Sequence, residues 1–262
     1  MEMIEDHFEG EPLPRWTRWL QGAGRIERGD STVRLVTQDA RAGQYSDSEL
    51  DDYHLDLSGR KCRWLWRPPL RMSVRARASR ATLVGTAGFG FWNDPFTLSG
   101  AVTALPQAIW FFYASPPANM ALVPGVPGWG WKAAIVNTTF KGALLCGVPT
   151  ALAVLGARLT GRAETAARWV QRISGAQEAL LQLDWTQWHT CELDWQRETA
   201  LFYVDGQQVL HAPRGSAPRG PLGFVAWVDT QFAVATPRGD FRFGTLDAPG
   251  EQWLELDWVR IE

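Results

Sequence analysis

Short runs of alternating apolar and polar residues recur along this chain and restrict its fold more than any other feature. In RMSVRARAS (71–79) every second residue is apolar, which is typical of a β-strand with one buried face. HTCELDW (189–195) alternates in the same way. Asp205-Gly206 lies between two strand patterns and predicts a tight hairpin. Many such strands, separated by Gly and Pro, predict a mainly β protein, a β-sandwich of the jelly-roll type.

One stretch has a different pattern and predicts a helical insertion, about 132–182, within a single jelly-roll domain that spans 1–262. ETAARWVQRIS (164–174) places apolar residues at helical spacing, and AQEALLQL (176–183) predicts a second short helix. Residues 142–157 carry no charge, yet the run is shorter than the roughly 18 residues of a membrane-spanning helix. Two interpretations of this run stay open, a buried or capping helix and a peripheral membrane contact.

Charge and cysteine content narrow the choice of partners and compartment. The 26 basic residues against 28 acidic residues give a net charge of −2, so we expect no nucleic-acid partner. The three cysteines, Cys62, Cys146 and Cys191, are odd in number and form no C-x-x-C, which indicates free thiols. The first ten residues lack an apolar stretch. We therefore expect a cytoplasmic protein, associated with the membrane periphery only if 142–157 docks there, and no cofactor.

The run WHTCELDWQRETALFYVDGQQVL (188–210) resembles the W-H and F-Y-V-D-G signature of concanavalin A-like jelly rolls, and of family-16 glycoside hydrolases in particular. The opening FEGEPLPRW and the closing LELDWVRIE are similar to the first and last strands of that class. The resemblance implies that GFGFWNDPF (88–96) is a cleft strand. It also places Asp257 where some proteins of this fold bind a structural calcium, by analogy only.

The next strand departs from the family pattern. Enzymes of this family carry E-x-D-x-x-E there, whose carboxyl groups act as nucleophile and acid/base. This chain has PQAIWFFY, and the resemblance places Gln107, Ile109 and Phe112 at the three acidic positions. It also implies that the side of the strand with Gln107, Ile109 and Tyr113 faces the cleft. None of these side chains can act as a carboxylate nucleophile, so we do not expect a conventional retaining mechanism. The acidic run ELDD (49–52) lies two strands earlier and is predicted to be a solvated edge or turn.

Two strand ends pair a Trp with an Asp and supply the candidate site. If both strands face one cleft, Asp94 and Asp229 become candidate acid/base residues beside two indole platforms. The alternative, that Asp94 caps a turn and Asp229 begins a loop, stays open. The predicted ligand-binding residues are Trp92, Asn93, Gln107, Trp110, Tyr113, Trp227 and Gln231.

Three functional hypotheses follow from these residues. The first is a ligand-binding protein whose aromatic cleft takes a wholly or partly apolar small molecule, because the family's acidic strand is apolar here. The second is an enzyme with relocated acid/base residues, Asp94 and Asp229: a hydrolase, hydratase or isomerase/cyclase acting on a lipid-like, isoprenoid or glycosidic substrate. The third is a carbohydrate-binding module, since Trp platforms suit sugar rings.

Overall fold

The computed structural model describes residues 3–10, 13–53, 64–94, 106–120, 122–123, 125–137, 176–235 and 241–262. This described part is built from antiparallel strands and turns and contains no helix. The eight-stranded sheet contains β1 (Ile4–Asp6), β3 (Gly24–Arg28), β4 (Val33–Ala40), β6 (Leu70–Ala78), β11 (His189–Trp195), β12 (Ala200–Val204), β13 (Gln207–Ala212) and β17 (Ala248–Ile261). The seven-stranded sheet contains β2 (Thr17–Gln21), β5 (Asp47–Asp51), β7 (Thr86–Trp92), β8 (Gln107–Ala114), β9 (Gly130–Asn137), β10 (Gln177–Leu180) and β14 (Gly223–Asp229). A separate hairpin pairs β15 (Gln231–Ala235) with β16 (Phe241–Thr245).

The two large sheets pack face to face around one apolar core. Their strand orders are β13-β12-β11-β6-β17-β4-β3, with β1 also on β17, and β10-β9-β8-β7-β14-β5-β2. Rings from opposite sheets meet in the core: Phe91 lies 5.5 Å from Trp195, and Phe111 lies 5.4 Å from Phe202. Several neighbouring strands, such as β6 beside β17 and β5 beside β14, are distant in sequence, so the fold depends on long-range pairing. The predicted β-sandwich of jelly-roll type is confirmed.

The alternation seen in the sequence determines which side of each strand is buried. On β6 the apolar residues are buried, whereas Arg75 and Arg77 lie on the opposite side. Cys191, the described cysteine, is a buried free thiol in the core, as predicted. The hairpin between β12 and β13 turns at Asp205 and Gly206, whose φ values of 50° and 76° are both positive, as a type I′ turn requires. The predicted hairpin is confirmed.

The predicted helical insertion over 132–182 is wrong at both of its ends. Residues 132–137 belong to β9, and the first part of AQEALLQL forms β10, which pairs antiparallel with β9. Helix propensity in this segment is overridden by tertiary pairing, because β10 extends the edge of the sheet and Glu178 reaches Lys132. The segments 142–157 and 164–174 lie outside the described residues. Within the described part, no helix is long and apolar enough to cross a bilayer.

Candidate functional site

The seven-stranded sheet has one face against the core and one turned away from it, here called the outer face. On β14, Phe224 packs into the core, whereas Val225 and Trp227 belong to a separate apolar cluster. Residues paired across antiparallel strands point to the same side of a sheet, so the register extends the outer face to the neighbouring strands. The outer-face positions are Asp47, Glu49 and Asp51 on β5, Thr86, Gly88, Gly90 and Trp92 on β7, Ala108, Trp110 and Phe112 on β8, and Val225, Trp227 and Asp229 on β14.

Four aromatic side chains form a continuous strip on the outer face, here called the aromatic strip: Trp92, Trp110, Phe112 and Trp227. The Trp110 ring lies 5.8 Å from Trp92, 5.4 Å from Phe112 and 5.1 Å from Trp227, measured between ring centroids. Trp92, Trp110 and Phe112 are half-buried, so the strip presents ring surface to a ligand. Trp92, Trp110 and Trp227, all predicted from the sequence as ligand-binding residues, are brought together here.

Glycines on β7 make room for these rings. A Cβ added to Gly88 would lie 2.8 Å from Trp227 Cη2 and closer still to the Phe111 carbonyl oxygen. At Gly90, where φ is +148°, a Cβ would lie 2.5 Å from the Cβ of Trp110. The Gly-x-Gly spacing on β7 is therefore a requirement of the aromatic strip, because any side chain at either position would displace a ring or the backbone.

We expect Gly88→Ala to destabilise the protein by about 1–3 kcal/mol, the usual cost of overpacking a close contact. The added methyl group would press on both Trp227 and the β8 backbone, and only the indole can move. Chemical denaturation measures the loss. Gly43→Ala, where φ is +85° and no atom lies within 4 Å of a Cβ, shows the cost of backbone strain without overpacking. A loss at Gly88 below about 1 kcal/mol would contradict the packing described here.

Four buried acidic residues lie beside the aromatic strip and are together called the acidic group: Asp47, Glu49, Asp51 and Asp229. Asp47, Glu49 and Asp51 are 2%, 8% and 0% exposed, and Asp229 is 7% exposed. The prediction that ELDD (49–52) forms a solvated edge or turn is therefore wrong. The reason is strand order: β5 precedes β7 by two strands in the sequence but lies inside the sheet, between β14 and β2.

Asp229 is connected to the aromatic strip through Thr86. Its Oδ1 accepts hydrogen bonds from Thr86 N at 3.2 Å, Thr86 Oγ1 at 2.9 Å and Gln231 N at 2.9 Å. Trp227 Nε1 donates to the same Thr86 hydroxyl at 2.9 Å. Burial raises the pKa of Asp229 to about 6, although these hydrogen bonds oppose the rise. A carboxyl group with this pKa can gain or lose a proton near neutral pH.

Asp47 lies directly opposite Asp229 in the strand register. Its Oδ1 is buried and has no hydrogen-bond partner among the described residues. Burial raises the pKa of Asp47 well above its ordinary value, the negative charge of Asp229 raises it further, and a hydrogen bond from Tyr45 opposes the rise. Two buried carboxyl groups side by side cannot both ionise cheaply, so the pair favours a state that retains a proton.

Tyr53 joins the acidic group to the aromatic strip. Its hydroxyl donates to Glu49 Oε1 at 2.8 Å and accepts a hydrogen bond from Trp92 Nε1 at 2.7 Å. The Tyr53 ring also lies 4.8 Å from that of Trp64. Sequence reasoning missed Asp47, Glu49 and Tyr53. The period-two spacing from Asp47 to Tyr53 could have placed them on one face, but not beside β14.

A buried ion pair lies on the other side of the strip. Lys132, opposite Phe112 in the register, places Nζ 3.2 Å from Glu178 Oε1. The two side chains are 2% and 5% exposed. Burial raises the pKa of Glu178, and the nearby Lys132 ammonium opposes this effect. The sequence pattern does not reveal this pair, because it predicts a helix over 176–183.

The predicted facing of β8 is wrong. Ile109 and Tyr113 lie in the sandwich core, where the Tyr113 hydroxyl donates to the Leu83 carbonyl oxygen at 2.9 Å. Gln107 lies on the same side of the strand as Ile109 and Tyr113, whereas Trp110 and Phe112 occupy the outer face. Both faces of this strand are apolar, so periodicity could not choose between them. The described outer-face positions of β8 carry no carboxylate: they are Ala108, Trp110 and Phe112.

The remaining predicted residues lie around the ends of β7 and β14. Asn93 Oδ1 accepts a hydrogen bond from Gln107 N at 2.9 Å and so extends the pairing of β7 with β8. Asp94 is buried, has a positive φ of 38°, and its charge contributes to the raised pKa values of Tyr53 and Asp47. Gln231 is exposed at the start of β15 rather than on the continued face of β14.

The acidic residue suggested by analogy for a structural calcium has another partner. Asp257 Oδ2 lies 2.7 Å from Arg75 Nη1. Within the described residues, no group of three or more His, Cys, Asp or Glu side chains is arranged to hold a metal ion.

Comparison with solved structures identifies the fold. A prokaryotic β-1,3-1,4-glucanase (lichenase) from a mouse hindgut metagenome matches with a TM-score of 0.56 and 13% identity, over 100% of this chain and 99% of that one. A pseudo β-1,3-glucanase of Mycobacterium tuberculosis, also an immunostimulatory antigen, matches with a TM-score of 0.52 and 12% identity, over 98% of this chain and 97% of that one. The Crh5 transglycosylase in complex with NAG matches with a TM-score of 0.52 and 12% identity, over 99% of this chain and 83% of that one.

These matches establish the class of fold. The chain has the concanavalin A-like jelly roll found in family-16-like glycoside hydrolases, as the sequence resemblance implied. No protein-family model matches the sequence, and no curated protein matches it. At sequence identities of 12–13%, the similarity to these structures shows the fold alone.

Proposed function

We propose that the outer face of the seven-stranded sheet binds a glycan. The observation that carries the proposal is the contact between the aromatic strip and the acidic group, made through Thr86 and Tyr53. Indole rings stack on the apolar faces of sugar rings, while carboxylate oxygens accept hydrogen bonds from sugar hydroxyls. Solved structures with this fold include a lichenase and a transglycosylase in complex with NAG, which supports the same class of ligand.

A wholly apolar ligand fits this surface less well. Asp47, Glu49 and Asp229 already have little contact with water. An apolar molecule laid against them would remove the remaining solvent without supplying hydrogen-bond donors, which costs free energy. Sugar hydroxyls would supply those donors. The ligand that matches both halves of the surface therefore has apolar ring faces and a hydroxylated rim.

A second candidate function is acid/base catalysis on the bound glycan. The opposed pair of Asp47 and Asp229 favours it, because their environments raise both pKa values and Asp229 titrates near neutrality. This is the relocated mechanism considered for Asp229, with Asp47 as its partner in place of Asp94. The conventional positions on β8 cannot supply these groups, since the residues there are Gln107, Ile109 and Phe112, none of which carries a carboxyl group.

Tryptophan-fluorescence titration tests binding. We expect saturable emission changes with β-glucan oligosaccharides, because three indoles lie in the aromatic strip, and no saturable change with short acyl or isoprenoid lipids. A response to the lipids alone would contradict the proposal and favour an apolar ligand. Chromatography of the oligosaccharides after incubation separates binding from turnover: shortened products support the second candidate, and unchanged oligosaccharides indicate binding alone.

A further inference from the structure

Three arginines surround a cavity at the end of the sandwich where β6 and β14 begin and β11 ends. The cavity has a volume of about 320 Å³ and is lined by Arg67, Pro68, Arg197, Glu198 and Arg219. Arg67 and Pro68 lie two to three residues before the start of β6, and Arg197 and Glu198 lie in the turn between β11 and β12. None of these residues belongs to the outer face, so the cavity is separate from the proposed glycan surface.

The charges around this cavity are not balanced. Glu198 is its one acidic lining residue, and that carboxylate already forms an ion pair with Arg214. Arg67 donates a hydrogen bond from Nη1 to the Gly220 carbonyl oxygen at 3.3 Å, which holds its side chain against the wall without neutralising it. Neither Arg197 nor Arg219 forms an ion pair or a side-chain hydrogen bond with any residue that the structure describes. The chain as a whole has a net charge of −2, so this local excess of positive charge does not follow from the overall composition.

We propose that this cavity binds an oxyanion, the carboxylate or phosphate group of a small molecule. Guanidinium groups present paired N–H donors that match the oxygens of carboxylates and phosphates, and several of them together select for negative charge. A volume of about 320 Å³ lies at the lower end of small-molecule sites and corresponds to roughly ten water molecules. There is room for a sugar ring that carries the anion as well as for a free ion.

Isothermal titration calorimetry at low ionic strength tests the proposal, with inorganic phosphate, sulfate, glucuronate and uncharged glucose as probes. We expect saturable binding of the anions that weakens as salt is added, and no binding of glucose at this cavity. Tighter binding of glucuronate than of phosphate would identify an anionic sugar as the ligand, and the reverse order a free oxyanion. The absence of saturable anion binding would overturn the proposal.

Substitutions locate the binding. Arg197→Ala and Arg219→Ala should each weaken anion binding by roughly tenfold, the effect of losing one charge-assisted hydrogen bond. Arg219→Glu should abolish it. Arg41→Ala is the matched control, because Arg41 is an exposed arginine in a turn outside the cavity. All three side chains are exposed, so thermal unfolding should be unchanged. Anion affinity that survives in the Arg197→Ala/Arg219→Ala double variant would contradict the assignment.

Discussion

Replacing Trp92 and Trp110 together with alanine is expected to reduce glycan binding below detection. Both indoles are half-buried members of the aromatic strip, and their centroids lie 5.8 Å apart. Losing one central aromatic contact typically costs about 2 kcal/mol, or roughly thirtyfold in affinity. Trp110 also touches Phe112 and Trp227, so its removal breaks the continuity of the strip. Fluorescence or calorimetric titration of each single variant and of the pair measures the effect.

The control must separate lost binding from lost folding. Trp253 is also half-buried, but it lies on β17 in the opposite sheet, with the guanidinium of Arg34 4.7 Å from its ring centroid. Trp253→Ala should therefore lower stability to a similar degree and leave glycan affinity unchanged. Should Trp253→Ala weaken binding as much as Trp110→Ala does, or should the double variant retain affinity, the outer face is not the glycan surface.

Much of the fold was predictable from local patterns, because a strand with one polar side, such as β6, indicates its buried side without reference to its neighbours. The alternation on β6 and the turn at Asp205-Gly206 required no knowledge of neighbouring strands. β10 was missed for the opposite reason. Its residues favour helix when taken alone, and only the edge of β9 and the Lys132 side chain make the strand conformation the better one.

The site was predictable in part. Trp92, Trp227 and Asp229 follow from two strands whose ends repeat the same pairing of Trp with Asp. Asp47 and Glu49 could not be found in this way, since their proximity to Asp229 arises from the jelly-roll strand order, in which β5 lies beside β14. The facing of β8 also required the structure: whether Trp110 or Tyr113 reaches the outer face depends on its register with β7.

Asp229→Asn is expected to stabilise the protein at neutral pH. The folded pKa of Asp229 is raised from 3.8 to about 6. A carboxyl group with a raised folded pKa contributes stability that is fully present below its unfolded pKa and is lost as the pH rises through its folded pKa. The loss falls between about pH 4 and pH 6 and amounts to roughly 3 kcal/mol, or about 6–12 °C in Tm. Asparagine keeps the Oδ1 acceptor for Thr86 and Gln231 but cannot ionise, so this contribution to the pH dependence should disappear.

Thermal unfolding of the wild type and the variant between pH 4 and pH 8 measures this difference. Asp52, whose pKa burial raises to about 7, remains in both proteins and contributes equally to both curves. Asp30→Asn, at an exposed turn, is the control and should leave the curve unchanged. A variant that is less stable by the same amount at every pH would mean that the charged carboxylate is structural. A variant that is more stable at pH 7 but binds or processes glycan poorly would mean that the chain keeps a destabilising acid at this position for its function, the usual trade-off at a working site.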